Sequence, residues 1–376
     1  MHTFQRSIFV AMALFTTAPV TADLGSTLDS NLPVAIEQEL SSPTVTGMTV
    51  AVGKSGKIVY AAGFGTANVE SGDGVSADTQ MRVGSISKVF TAAVIGKLYE
   101  AGKLDLDAPI NSYVPSFTKK RWPVSIRQAA AHMGGIRHYK GDEFLNTHHF
   151  DTVTSGIQMV AADPLIYEPG TRVAYSSHAW NLISAALEGA ADSSFLTIMQ
   201  DKVFSPLEMR DTAAEDITLN FPALSGFHVT ENDHPVIAPF VDNSYKWAGG
   251  GFIATAADVA RFGLAHTKPG FLQPQTLDLL FTEQFTQAGQ PSGFGIGWMT
   301  ASNMHARLIR EGLTNYTPVV HEHLVWHSGG SMGGVALLLV DPEHDIAIAL
   351  MANHGDAFSA LLRTGLYTLA MAVNEH

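Results

Sequence analysis

Apolar residues recur with two different periods along the chain. "GMTVAVG" at 47–53 and "KIVYAAG" at 57–63 are short β-rich runs joined by Lys-Ser-Gly, the pattern of a hairpin. From 85 to 101 the period changes: Ile86, Val89, Phe90, Ala93, Val94, Leu98 and Ala101 fall at helical spacing and predict a helix with a buried face. Between Leu104 and residue 240, Pro and Gly punctuate short helical segments such as "SIRQAAAHMGG" and "AWNLISAALEGAA". "HLVWHSGG", "GVALLLVD" and "DIAIALMAN" return to strand-like text, and an apolar-periodic helix follows from Phe358 to Val373.

This order predicts an α+β protein. Residues 23–110 and 240–376 are expected to form an antiparallel sheet flanked by helices, and 111–239 an inserted all-helical domain. At the start of the chain, Arg6, the apolar stretch Ile8–Phe15 and the small residues ending at Ala22 read as a secretory signal over 1–22, cleaved after Ala22. The expected product is exported, periplasmic or secreted, with no stable membrane span. The apolar stretch falls short of the ~20 residues a span needs. A retained N-terminal anchor is the alternative.

Composition narrows the chemistry. Of 376 residues 46% are apolar and 15% charged, with 34 Gly and 17 Pro, which describes a globular, turn-rich protein. A net charge of −13 argues against nucleic acid as a partner. With no cysteine, a thiol nucleophile, a disulfide framework and a thiolate metal site are all excluded. His148-His149 and His321-Glu322-His323 lack the carboxylate-helix context of a metal site, so no metal and no other cofactor is expected. The oligomeric state is open.

The candidate nucleophile lies at the head of the first helix, in "VGSISKVFTA". Ser85 and Lys88 are three apart, so they share a helix face, and the helix N-terminus adds free N–H groups and positive potential. Burial of Lys88 would lower its pKa toward a neutral, proton-accepting amine and make Ser85 a usable nucleophile. Ser-x-x-Lys is common by chance, and Ser116-x-x-Lys119 repeats it in a polar loop without helical spacing. Only the Ser85 copy has the structural context.

Two later segments supply the remaining parts. In "PGTRVAYSSHAW", Tyr175 and Ser177 can project to one side, with the phenol expected to have a lowered pKa near Lys88 and to shuttle a proton. In "VWHSGGSMGG", His327, Ser328, Gly329 and Gly330 lie on a strand whose glycines admit a substrate backbone. The N–H groups of Ser85 and Gly330 would form the oxyanion hole.

Together Ser85-Ile86-Ser87-Lys88, Tyr175-Ser176-Ser177 and His327-Ser328-Gly329 resemble the serine β-lactamase and penicillin-binding-protein family, whose fingerprint is Ser-x-x-Lys, Tyr-x-Asn and Lys/His-x-Gly. The class C and D-Ala-D-Ala carboxypeptidase branch is the nearest. "GKLDLDAPINSYVP", "YEPGTRVAYSS" and "AGGGFIATAADVARF" extend the likeness, and "HMGGIRHY" is closest in motif to the mitochondrial β-lactamase-like serine proteases.

The resemblance implies an exported serine hydrolase working through an acyl-enzyme on an amide or ester. Ser85, Lys88 and Tyr175 would be catalytic, and Ser177, His327, Ser328, Gly329 and Gly330 would hold substrate or oxyanion. Two departures matter: Ser177 stands where the family has Asn, and His327 where β-lactamases have Lys. Activity is expected to follow the titration of His327 between about pH 5 and 8. Glu168 precedes Tyr175 and is read as structural. Ester, D-amino peptide, ordinary peptide and β-lactam substrates stay open. A catalytically silent wall-peptide-binding module is the alternative from another class, and a scaffold or filament-forming protein a further one.

Overall fold

A computed structural model of the chain describes residues 23–374; the expected signal segment 1–22 lies outside the described residues. The core element is a six-stranded antiparallel sheet. Its strands are β1 (Gly47–Lys54), β2 (Lys57–Asn68), β3 (Asp73–Gly74), β4 (Val325–Ser331), β5 (Gly334–Asp341) and β6 (Ile346–Ala352), in the order β3-β2-β1-β6-β5-β4. Strands from the two halves of the sequence meet where β1 pairs with β6, Val50 opposite Leu350. The β1–β2 hairpin turns at Ser55 and Gly56, both at positive φ, the geometry that matches strand twist in a two-residue turn.

The central strands are apolar on both sides because both faces are covered. Val50 and Val52 of β1, with Leu337 and Leu339 of β5, face α1 (Leu24–Leu40) and a C-terminal helix at Phe358–Asn374. The alternate residues, Ala51, Ala336, Leu338 and Ala349, face the opposite core. That second core contains α2 (Ser87–Glu100), α3 (His178–Ala191) and α4 (Ala256–Leu264). Helix α2 is buried nearly all round, and the Phe90 ring centroid lies 4.7 Å from that of Phe262 and 5.9 Å from that of Phe204. A helix apolar on every side belongs inside a protein.

Residues 111–239 carry several helices, α3 the longest among them, and share the α2 core. They also make a two-stranded hairpin, His228–Glu231 with His234–Ile237, whose turn residues Asn232 and Asp233 both take positive φ. No single helix among the described residues is long and apolar enough to cross a membrane.

Candidate active site

The nucleophile turn is built by close backbone approach. Ser85 sits in a 3₁₀ turn, Gly84–Ile86, that runs directly into α2. Gly84 has φ +50°, and a β-carbon there would lie 2.6 Å from the amide nitrogen of Gly330, so the position admits only glycine. The Ser87 hydroxyl donates to the Gly84 carbonyl at 2.7 Å and fixes the turn from inside.

Three catalytic candidates converge there. Lys88 Nζ is 2.9 Å from Ser85 Oγ, and the Tyr175 hydroxyl donates to the same Oγ at 2.8 Å. Lys88 Nζ also contacts Ser177 Oγ at 3.2 Å and the carbonyl oxygen of Gly249. Lys88 is fully buried, and burial together with the neighbouring Lys246 ammonium holds its amine well below the usual lysine range. A neutral amine has two N–H donors and one lone pair. The Gly249 carbonyl can only accept, so it and Ser177 take the two hydrogens and the lone pair is left for the Ser85 proton. The second Ser-x-x-Lys has no such setting, since Ser116 lies exposed in a loop.

Burial shifts Tyr175 opposite to the sequence expectation. Desolvation raises the phenol's pKa, and its hydrogen bond with Ser85 does not offset this. Tyr175 is therefore a neutral hydroxyl, a proton donor and not a phenolate.

The histidine strand is β4, at the edge of the sheet. Trp326 exchanges both backbone hydrogen bonds with Met299 on its outer side. The two-residue period of a strand then turns the N–H groups of Ser328 and Gly330 to that same outer edge. Gly329 faces the nucleophile turn, where a β-carbon would meet the Val83 carbonyl oxygen at 1.9 Å, whereas the space beside Gly330 is open. Gly330 lines a cleft of about 190 Å³ together with Ser85, Tyr175, Ser177 and Gly249.

His327 does not reach that cleft. It is fully buried, with Nδ1 2.6 Å from the Ser328 carbonyl oxygen, and burial beside Lys88 pushes its pKa down to about 3. The expected titration of this ring between pH 5 and 8 is thereby overturned: the imidazole is neutral throughout. Ser328 is half-buried and stands outside the cleft lining. Glu168 is exposed, and its carbonyl closes the turn to Thr171.

Sequence reasoning missed four cleft residues: His138, Tyr139, Phe144 and Lys246. His138 Nδ1 accepts from the Ser177 N–H at 3.2 Å and so positions the tyrosine loop. His132, at φ +59°, does the same for Ser176 at 3.1 Å. The signal for three of the four was the "HMGGIRHYKGDEF" stretch, polar and aromatic residues crowded against Gly-Gly.

The family model described as Beta-lactamase matches residues 35–370. The chain belongs to the beta-lactamase family. This beta-lactamase-family chain is 27% identical over 402 residues to the human serine beta-lactamase-like protein LACTB, mitochondrial, covering 82% of this chain and 70% of that protein. Among solved structures it is similar to EstCE1, a hydrolase with promiscuous acyltransferase activity (TM-score 0.76, 20% identity, 93% of this chain and 99% of that one). It is also similar to a class C beta-lactamase (TM-score 0.74, 18% identity, 93% and 98%). Both likenesses bear out the expected β-lactamase/transpeptidase-like fold.

Proposed function

We propose that this β-lactamase-related serine hydrolase works through an acyl-enzyme on Ser85. The observation that carries the reading is the placement of one hydroxyl oxygen between a buried amine at 2.9 Å and a phenol at 2.8 Å. Lys88 takes the Ser85 proton as Oγ attacks a carbonyl carbon. The Ser85 and Gly330 N–H groups face the developing oxyanion. The Lys88 ammonium so formed and the Tyr175 hydroxyl are the two proton donors beside the departing atom, and water then releases the acyl group by the reverse proton path.

Esters and activated amides suit this cleft better than β-lactams. The Ser177 hydroxyl is engaged by Lys88 instead of projecting an amide, and His327 offers no cation. We further propose export, supported by the composition of residues 1–22.

The test is a panel of p-nitrophenyl esters, D-Ala-D-Ala peptides and nitrocefin against the wild type and Ser85→Ala. Mass spectrometry on a slow ester should find the acyl group on the peptide containing Ser85. Turnover that survives in Ser85→Ala would reject the reading.

A further inference from the structure

The mechanism uses one lysine of the cleft only for its effect on Lys88. Lys246 ends a 3₁₀ turn, Ser244–Lys246, and is only 2% exposed. No hydrogen-bond acceptor and no carboxylate pairs with its ammonium among the described residues. The acid whose charge acts on it, Glu215, is committed to Arg82 through bonds of 2.7 and 2.9 Å and to Asn243 at 2.6 Å. Among the described residues its contacts are aromatic faces: Phe144 at 4.5 Å, Tyr245 at 5.3 Å and Tyr139 at 5.5 Å from Nζ to the ring centroid.

Burying an unpaired cation is costly, ring faces offset only part of that cost, and desolvation pulls the Lys246 pKa down to about 7, so a carboxylate placed beside it would restore the charged form. The side chain is also aimed at the reaction. Its Cδ and the carbonyl carbon of Gly84 both lie 3.8 Å from the point a β-carbon on Gly250 would occupy, which puts the lysine stem beside the nucleophile turn. Nζ is not sealed off: Lys246 lines the same cleft as Ser85 and Gly330. Strand β4, meanwhile, presents a buried neutral ring at the position where β-lactamases have a lysine.

We propose that Lys246 is the anion-recognising residue of this cleft, and that the preferred acyl substrates carry a carboxylate that completes its missing ion pair. This rests on the hydrolase reading above. A charge-assisted hydrogen bond out of water corresponds to roughly ten- to a hundredfold in binding.

The experiment compares p-nitrophenyl hydrogen succinate with its neutral methyl ester, which has the same reacting centre. Wild type should favour the acid by at least about tenfold in kcat/KM, expressed mainly in KM. Lys246→Met, which keeps the apolar stem among the rings, should bring the ratio of the two esters close to one. Equal rates on both esters in wild type overturn the proposal, whatever the variant does. A Lys246→Met protein that keeps the preference, or slows both esters equally through kcat, also overturns it, the latter because Lys246 would then act only on Lys88. Should neither ester be hydrolysed, the hydrolase reading falls by itself. Calorimetric binding of monomethyl against dimethyl succinate then decides: selective binding lost in Lys246→Met supports the proposal, and equal binding overturns it.

Discussion

Gly329 and Val83 meet backbone to backbone, so closely that a β-carbon on Gly329 would stand 1.9 Å from the Val83 carbonyl oxygen. This contact clamps the edge strand against the nucleophile turn and sets the spacing between the Ser85 and Gly330 N–H groups, the proposed oxyanion donors. Gly329→Ala should force the strand away, costing about 1–3 kcal/mol by overpacking and lowering kcat. Gly330→Ala meets open space and should leave the melting temperature unchanged while its methyl group obstructs the cleft. Thermal melts and ester kinetics on the two variants check this contrast.

Ser85 and Lys88 should separate cleanly in kinetics. Ser85→Ala should remove turnover with the fold intact. Lys88→Ala should lower kcat by about 10²–10⁴, the usual worth of a positioned base, with little change in KM. A loss confined to KM would show that the amine binds substrate without moving a proton.

The pH profile on a neutral ester should reflect Lys88. Below its pKa the amine is an ammonium and cannot accept the Ser85 proton, so activity falls toward acid. Because burial lowers that pKa, the active form persists to lower pH than an ordinary lysine would allow. Burial keeps Tyr175 protonated, so no alkaline loss from this phenol is expected below about pH 10, where tyrosine ordinarily titrates. His327→Gln should leave the profile between pH 5 and 8 unchanged in shape. A midpoint in that window that vanishes in His327→Gln would contradict the neutral assignment.

Behind the site, Arg82 and Glu215 form a buried bidentate pair, and Arg82 also donates to the Met332 carbonyl at 2.7 Å. That bond holds the β4–β5 turn beside Gly330. Glu215→Ala should destabilise the fold by about 3–5 kcal/mol, because it strands a buried guanidinium. Denaturant unfolding measures this, and Arg82→Met together with Glu215→Ala should recover part of the loss.

Periodicity carried the frame of the fold. Val50 and Val52 against Ala51, or Leu337 and Leu339 against Ala336 and Leu338, are legible as strands because side-chain alternation is local. The same holds for Ser85 and Lys88, three positions apart on one helix. Lys246 was not legible, since nothing in "NSYKWAGGG" says that Tyr139 and Phe144, from a distant segment, will join Tyr245 in closing on it. The directions of Tyr175 and His327 were missed for a related reason. Neighbouring charges can be guessed from motifs, but the depth of burial that outweighs them emerges only when α2, the tyrosine loop and β4 pack together.

The stretch from His138 to Phe144 borders the cleft and runs into a short 3₁₀ turn, Gly141–Leu145, pinned by Glu143 to Arg137 and His178. The nucleophile helix, by contrast, is locked in a core on every side. A protein engineer can therefore diversify Tyr139 and Phe144 while keeping His138 and Glu143, which hold the tyrosine loop and the turn, so that libraries confined to those two positions should trade one clientele of acyl compounds for another without rebuilding the catalyst.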